Sequence, residues 1–119
     1  GHVVGVLAQD GAVDGGALTA AASHKLRRHV ALCGAFHIPV VSFVDQPGFA
    51  VGLAAEREGT IRHGATAIAA IYACGVPWFT VVVRKAYGVA GAVLVDHGEP
   101  NARVAWPSGV RGHGQPYNP

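Results

Sequence analysis

Residues 87–92, Tyr-Gly-Val-Ala-Gly-Ala, place small side chains after a predicted strand and at the start of a predicted helix. The first backbone amides of a helix lack intrahelical partners and lie at the positive end of its dipole. Small side chains let a ligand oxygen approach these amides, as in an oxyanion hole, where one donor contributes roughly 2.7–4 kcal/mol to acyl transfer. The alternative is a glycine-rich turn that only packs a helix tightly against a strand.

Other catalytic groupings of side chains are absent from the sequence. The three serines, at positions 23, 42 and 108, lie outside any Gly-x-Ser-x-Gly elbow, and neither cysteine follows a predicted strand. The seven histidines lack metal-binding spacing, so no metal site is expected, and no Gly-x-Gly-x-x-Gly follows the first strand. His63 begins a predicted helix beside Arg62 and is interpreted as an exposed polar residue rather than a catalytic one.

Apolar patterning predicts the elements that position residues 87–92. Strands are expected at 2–8, 40–44, 78–83 and 103–106. Helices are expected at 18–36, at 60–74 with Thr60 as N-cap, and at 88–95. The second of these helices is apolar almost all round, which predicts that it is covered on both sides.

Residues 36–44 and 74–82 share a pattern in which a helix ends, a proline follows and a strand begins. The offset of 38 residues fits successive β-α-β turns with parallel strands buried on both faces, and hence an α/β fold. Ligands collect at the carboxyl edge of such a sheet. The loops there are Asp45-Gln46-Pro47-Gly48-Phe49 and Arg84–Gly91, which together form the predicted site.

Composition narrows the class of protein. Half of the 119 residues are apolar and 13% are charged, which indicates one folded domain with a core. The basic residues are not interleaved with aromatic ones, and no apolar run reaches the length of a membrane span, so neither nucleic acid nor membrane is expected as a partner. Because Cys33 and Cys74 lack Cys-x-x-Cys spacing and no signal peptide is seen, a cytoplasmic protein with reduced thiols is predicted.

Seven different short motifs follow one another between residue 1 and about residue 108. They are Gly1–Ala8, Lys25–Pro39, Phe43–Phe49 (FVDQPGF), Ile61–Ala65 (IRHGA), Val76-Pro77, Arg84–Gly88 (RKAYG) and Ala105–Pro107 (AWP). In this order and spacing they resemble the C-terminal domain of the carboxyltransferase (beta) subunit of biotin-dependent acyl-CoA carboxylases, of the propionyl-CoA and methylcrotonyl-CoA carboxylase type.

The resemblance implies a fold and a reaction. The fold would be a crotonase-like (ClpP/crotonase) superhelix of β-β-α turns with parallel strands. It is expected to be incomplete in this chain, because the family continues into further helices beyond the position of Pro107 and also has a separate acyl-CoA-binding domain. The reaction would be carboxyl transfer from carboxybiotin to an acyl-CoA. No side-chain nucleophile takes part: biotin accepts the α-proton, the enolate attacks CO₂, and two backbone oxyanion holes stabilise the developing charges.

The resemblance also implies partners and site residues. Biotin would arrive on a separate carrier domain or subunit, alongside a biotin carboxylase component, and the active site would lie at a dimer interface of a homo-oligomer. Gly88, Val89 and Ala90 would form the biotin-side oxyanion hole, with the amides of Val89 and Ala90 as donors. The expected substrate-binding residues are Asp45, Pro47, Gly48, Phe49, Arg84, Lys85, Tyr87 and Ala92.

Some positions depart from the family pattern. Many members carry glycine where this chain has Val89. Many also carry an acidic residue that lines the acyl pocket where this chain has Ala92, so the preference of the family for a particular acyl group cannot be transferred to this chain. Arg84 and Lys85 are expected mainly to order the second loop.

Residues 1–108 are assigned to a partial carboxyltransferase C-terminal domain, and residues 109–119 to an irregular or disordered tail. If truncation removes part of the cover of helix 60–74, the exposed apolar surface should drive association.

Two further functions remain open from the sequence. The chain could be an inactive or structural fragment that docks on a complete carboxylase subunit. It could also be another acyl-CoA enzyme of crotonase fold, a hydratase or an isomerase. A hydratase needs placed carboxylates, for which Asp45, Glu56 and Glu58 are the loop candidates.

Overall fold

The computed structural model describes residues 1–95, 101–111 and 115–116. Within these ranges the helices are α1 (Ala20–Ala35), α2 (Leu53–Arg57), α3 (Thr60–Ala73) and α4 (Gly88–Val95). The strands are β1 (Gly5–Ala8), β2 (Val40–Gln46), β3 (Trp78–Ala86), β4 (Asn101–Ala105), β5 (Val110–Arg111) and β6 (Gln115–Pro116).

The first four strands form a parallel sheet. β2 lies between β1 and β3, and its Val41 pairs with Val6 on one side and with Phe79 on the other. β4 pairs with the first part of β3, whereas β5 pairs with the end of β3 and β6 returns antiparallel to β5. Parallel neighbours need a crossover connection, which α1 and α3 supply. The predicted α/β class with parallel strands is therefore confirmed.

The core lies between one face of this sheet and the helices. Alternate residues of β2 from Val40 to Gln46 are buried, as the two-residue period of a strand requires. Three helices contribute buried residues to the same core: Leu26, Val30 and Cys33 of α1, Ala67 and Ile71 of α3, and Val93 and Leu94 of α4. The short helix α2 contributes none. This packing leaves the carboxyl edge of the sheet, where the loops after β1, β2 and β3 meet, as the place for a site.

α1 has defined caps at both ends. The Thr19 side chain accepts a hydrogen bond from the amide of Ala22 at 3.0 Å, which satisfies one of the free amides of the first turn. At the other end the amide of Ile38 donates to the Cys33 carbonyl and the amide of His37 donates to the Gly34 carbonyl. These are the two bonds of a Schellman motif, and they hold His37 at a φ of 55°, where glycine is the usual residue.

α3 differs from its prediction in two respects. Its N-cap is Gly59 in the left-handed region, not Thr60, and the Thr60 hydroxyl donates instead to the Ala55 carbonyl at 2.9 Å. The helix is also covered on one side only, since it packs on α1 while Ile61 is 68% exposed and Tyr72 is 59% exposed. The expected burial on both sides is wrong for the described residues because they place no element over that outer face.

No described helix packs on the second face of the sheet, although Val81 on this face is buried. Val6, Phe43, Phe79 and Val104 occupy it, and Phe79 is 42% exposed. The expectation of strands buried on both faces is therefore wrong for these residues, since the described helices pack on the opposite face. A run of β-branched and aromatic residues predicts a strand, but it does not predict whether one or both faces of that strand are covered.

The predicted tail begins with ordered backbone. Val110 and Arg111 pair with Lys85 and Ala86 of β3, and residues 115–116 pair back onto β5. Backbone pairing of this kind does not need an apolar period in the sequence. Residues 112–114 and 117–119 lie outside the described part of the chain.

Candidate functional site

An ion pair joins the ends of β2 and β3. The Asp45 carboxylate accepts hydrogen bonds from Arg84 Nη2 at 2.9 Å and Nε at 3.3 Å, and from the amide of Lys85 at 3.2 Å. The hydrogen bond to Asp45 raises the pKa of the Arg84 guanidinium, and the charge of Asp45 acts in the same direction. Asp45 is therefore occupied in holding the segment that leads to residues 87–92.

Gln46 fixes the next part of this segment. Its carbonyl accepts the amide of Tyr87 at 2.9 Å, and the Tyr87 carbonyl accepts the amide of Gly91 at 3.0 Å. Both sides of Tyr87 are thus hydrogen-bonded, which sets the direction in which α4 leaves the sheet.

The amides of Gly88, Val89 and Ala90 precede the first internal hydrogen bond of α4, which the Gly91 amide donates. Gly88 has a φ of 63°, a conformation in which other residues are strained. The Val89 side chain is 62% exposed, whereas Ala90 is buried. Among the described residues these amides have no hydrogen-bond acceptor, and they lie at the positive end of the α4 dipole.

Gly91 has a packing role. A Cβ at this position would overlap the backbone of Ala86, with the Ala86 Cα at only 2.9 Å. α4 can lie this close to the end of β3 only because residue 91 has no side chain. The glycine-rich turn thus serves the tight packing considered as an alternative above, without using the amides of Val89 and Ala90.

The loop after β2 is held against the start of α1. The Gly48 amide donates to Gln46 Oε1 at 2.9 Å, and the Gly48 carbonyl accepts the amide of Leu18 at 2.9 Å. The Phe49 ring packs directly over Gly64 of α3 and belongs with the residues around the core. Pro47 and Gly48 are half-buried between Gln46 and Phe49.

The structure thus brings most of the predicted site residues to one edge of the sheet, with Asp45, Arg84, Lys85 and Tyr87 linked through backbone or side-chain bonds. Ala92 is exposed on α4, one turn beyond Gly88. The Phe49 side chain is the exception, since it is turned towards α3.

A third loop, after β1, was missed from the sequence. Gln9 Oε1 accepts the amide of Asp45 at 3.0 Å, and Gly11 lies so close to Arg84 that an added Cβ would be 2.8 Å from Nη2. Its signal was present, because Gln9-Asp10-Gly11 follows a predicted strand and the carboxyl-edge rule applies to the first strand as much as to the others.

The carboxylates do not form the pair that a hydratase needs. Asp45 is engaged with Arg84, while Glu56 and Glu58 are exposed in and just after α2. Among the described residues no cluster of three histidine, cysteine or acidic side chains could hold a metal ion. Cys33 and Cys74 are free thiols, and burial raises the pKa of Cys33, which makes it a poor nucleophile.

Comparison with known proteins assigns the family. A family model for the carboxyl transferase domain matches residues 1–111. The carboxyltransferase subunit of propionyl-CoA carboxylase from Haloferax mediterranei is 43% identical over 109 residues, which make up 91% of this chain and 21% of that protein. The chain belongs to the carboxyl transferase family. The resemblance inferred from its motifs is confirmed.

Other carboxyl transferase relatives give the same result. The mitochondrial propionyl-CoA carboxylase beta chain of Homo sapiens is 42% identical over 91% of this chain and 20% of its own length. A crystal structure of transcarboxylase 12S, described as a hexamer with methylmalonyl-coenzyme A bound, has a TM-score of 0.85 and 40% identity over 91% of this chain and 21% of its own. The predicted crotonase-like fold of this family is thus confirmed. The chain spans about a fifth of the length of the relatives it matches.

None of the helices in the described residues has both the length and the apolar character needed to cross a membrane.

Proposed function

We propose that this chain is the biotin-side part of an acyl-CoA carboxyltransferase, which moves a carboxyl group from carboxybiotin to an acyl-CoA. The observation that carries the proposal is the start of α4, where the amides of Val89 and Ala90 precede the first helical hydrogen bond. The developing negative charge on the ureido oxygen of biotin would be stabilised there by two N–H donors and by the helix dipole. The acyl-CoA would be held mainly by another domain, across a dimer interface.

The surrounding residues would position this turn rather than react. Asp45 holds Arg84 and the Lys85 amide, and Gln46 holds Tyr87. Gly88 supplies the left-handed turn, while Pro47, Gly48 and Phe49 shape the neighbouring loop. The exposed Ala92 would line the acyl side of the site. Because no step uses a side-chain base, the engagement of Asp45 in an ion pair agrees with the mechanism.

The proposal extends to the assembly. Residues 1–108 would form part of the C-terminal domain of a carboxyltransferase subunit, in a cytoplasmic homo-oligomer that works with biotin carboxylase and a biotin carrier. The substrates and partners proposed here are those of the family, since the relatives named above are propionyl-CoA carboxylase subunits and a transcarboxylase.

The test uses a complete subunit that contains this sequence, assayed for carboxyl transfer from carboxybiotin to propionyl-CoA. Ala90→Pro removes one amide donor, and in the first turn no helical hydrogen bond is lost with it. We expect turnover to fall on the order of 10²–10³-fold. Ala90→Gly and Val89→Gly keep the donors and should retain activity. If Ala90→Pro folds, as judged by circular dichroism, and turns over at the parental rate, the oxyanion-hole assignment is wrong.

A further inference from the structure

A cleft of about 510 Å³ lies beside β1, and none of residues 84–92 lines it. Its walls are β1, the segment that follows β1, and one face of α1. The apolar lining includes Leu7, Leu18, Ala22 and Leu26. This volume falls in the range of clefts that bind small molecules.

The Gln46 side chain gives this cleft a polar group at depth. Gln46 is fully buried and lines the cleft. Its Oε1 accepts the amide of Gly48, which fixes the orientation of the side-chain amide, whereas Nε2 finds no acceptor among the described residues. A buried N–H donor without an acceptor is unfavourable, so a ligand oxygen placed there would gain a hydrogen bond without competing with the protein.

The charges of the lining select among ligands. Lys25, Asp10 and Asp14 are exposed, so they lie towards the solvent side of the cleft. His29 of α1 is half-buried on the lining, and the fully buried donor is the neutral amide of Gln46. A carboxylate beside Gln46 would be desolvated without a buried cation to balance it. A neutral carbonyl oxygen escapes this penalty, and the N–H groups of an amide match the acidic side chains nearer the solvent.

We propose that this cleft binds an uncharged ligand that carries an amide group on an apolar chain of a few carbons. Its carbonyl oxygen accepts a hydrogen bond from Gln46 Nε2, and its chain lies against Leu7, Leu18 and Leu26. This binding does not depend on the carboxyl transfer proposed above, and it can be measured without an assay of that reaction.

The experiment is equilibrium dialysis of the 119-residue chain against radiolabelled hexanamide and hexanoate, two probes that differ in charge but not in chain length. Dialysis tolerates association of the chain. We expect hexanamide to bind at millimolar concentration and hexanoate to bind at least about tenfold more weakly near neutral pH, because of the buried charge. Equal or tighter binding of hexanoate would contradict the amide class, and no binding of hexanamide would overturn the site.

Two pairs of variants place the binding in the cleft. Ala22→Leu fills the cleft from α1 and should weaken hexanamide binding at least about tenfold, whereas Ala21→Leu, on the exposed side of the same helix turn, should leave it within about twofold. Gln46→Met keeps the size but removes the donor and should weaken binding about fivefold, the size of one neutral hydrogen bond. If Gln46→Met does not fold, the comparison of Ala22→Leu with Ala21→Leu still shows whether hexanamide binds in the cleft. Equal effects of Ala22→Leu and Ala21→Leu would place the binding elsewhere.

Discussion

The Asp45 carboxylate accepts two hydrogen bonds from the Arg84 guanidinium, at 2.9 and 3.3 Å, across 39 positions of sequence. The same carboxylate accepts the amide of Lys85, so one side chain at the end of β2 holds two successive residues of β3. This relationship supports the expectation that Arg84 orders the second loop, while Lys85 contributes through its backbone.

Removal of either partner of this pair should have unequal effects. Arg84 is 53% exposed, so Arg84→Ala should change the free energy of unfolding little, because solvent screens an exposed ion pair. Asp45→Ala also leaves the Lys85 amide without its acceptor and should cost about 1–2 kcal/mol more. Denaturant unfolding of the two variants measures the difference. Equal costs would mean that the bond to the Lys85 amide contributes nothing.

Substitution of Gly91 tests how α4 packs against β3. In an unconstrained helix, glycine to alanine stabilises by about 0.5–1 kcal/mol. Here the new Cβ would overlap the Ala86 backbone, so we expect Gly91→Ala to destabilise by about 1–3 kcal/mol instead. The direction in which Gly91→Ala shifts the melting temperature therefore distinguishes the two cases. Gly88→Ala is the control, because its Cβ meets open space and the substitution strains only φ.

The Schellman motif at the end of α1 predicts a stabilising substitution. His37 holds a φ of 55°, which costs a residue with a Cβ about 1–2 kcal/mol. After the entropy cost of glycine, His37→Gly should raise the unfolding free energy by about 0.5–1 kcal/mol. His24→Gly, in the interior of the same helix, should lower it by roughly 0.3 kcal/mol, the difference in helix propensity between the two residues. A loss of stability in His37→Gly would show that the imidazole contributes more than the left-handed strain costs.

The open face of the sheet predicts association of the chain. Phe43, Phe79 and Val104 lie on neighbouring strands of that face, and such a contiguous exposed apolar patch drives proteins together. We expect the chain to form oligomers in light scattering, and Phe79→Lys to shift it towards monomer more than Ile61→Lys on α3 does. A sharp monomer peak for the parental chain would contradict this prediction. A larger effect of Ile61→Lys would return the association to α3, as the sequence alone suggested.

Local patterns in the sequence determined the elements and their order. Pro39 and Pro77 mark the starts of β2 and β3, the apolar spacing marks α1 and α3, and Gly88 marks the start of α4. These features depend on neighbours within a few residues, because turn chemistry and side-chain period act over that range. The parallel arrangement and the family followed from the same patterns and from the motifs.

Only the tertiary structure decided which groups near the site are engaged and which are free. Asp45 is paired with Arg84, Gln46 accepts the amide of Tyr87 and also lines a cleft, and the loop after β1 contacts the site through Gln9. It also showed that the described residues place no helix over the second face of the sheet and no element over the outer face of α3. Contacts between residues 36 to 44 positions apart depend on how strands and helices pack in layers. The hydrophobic periodicity of a single segment does not predict how many layers there are.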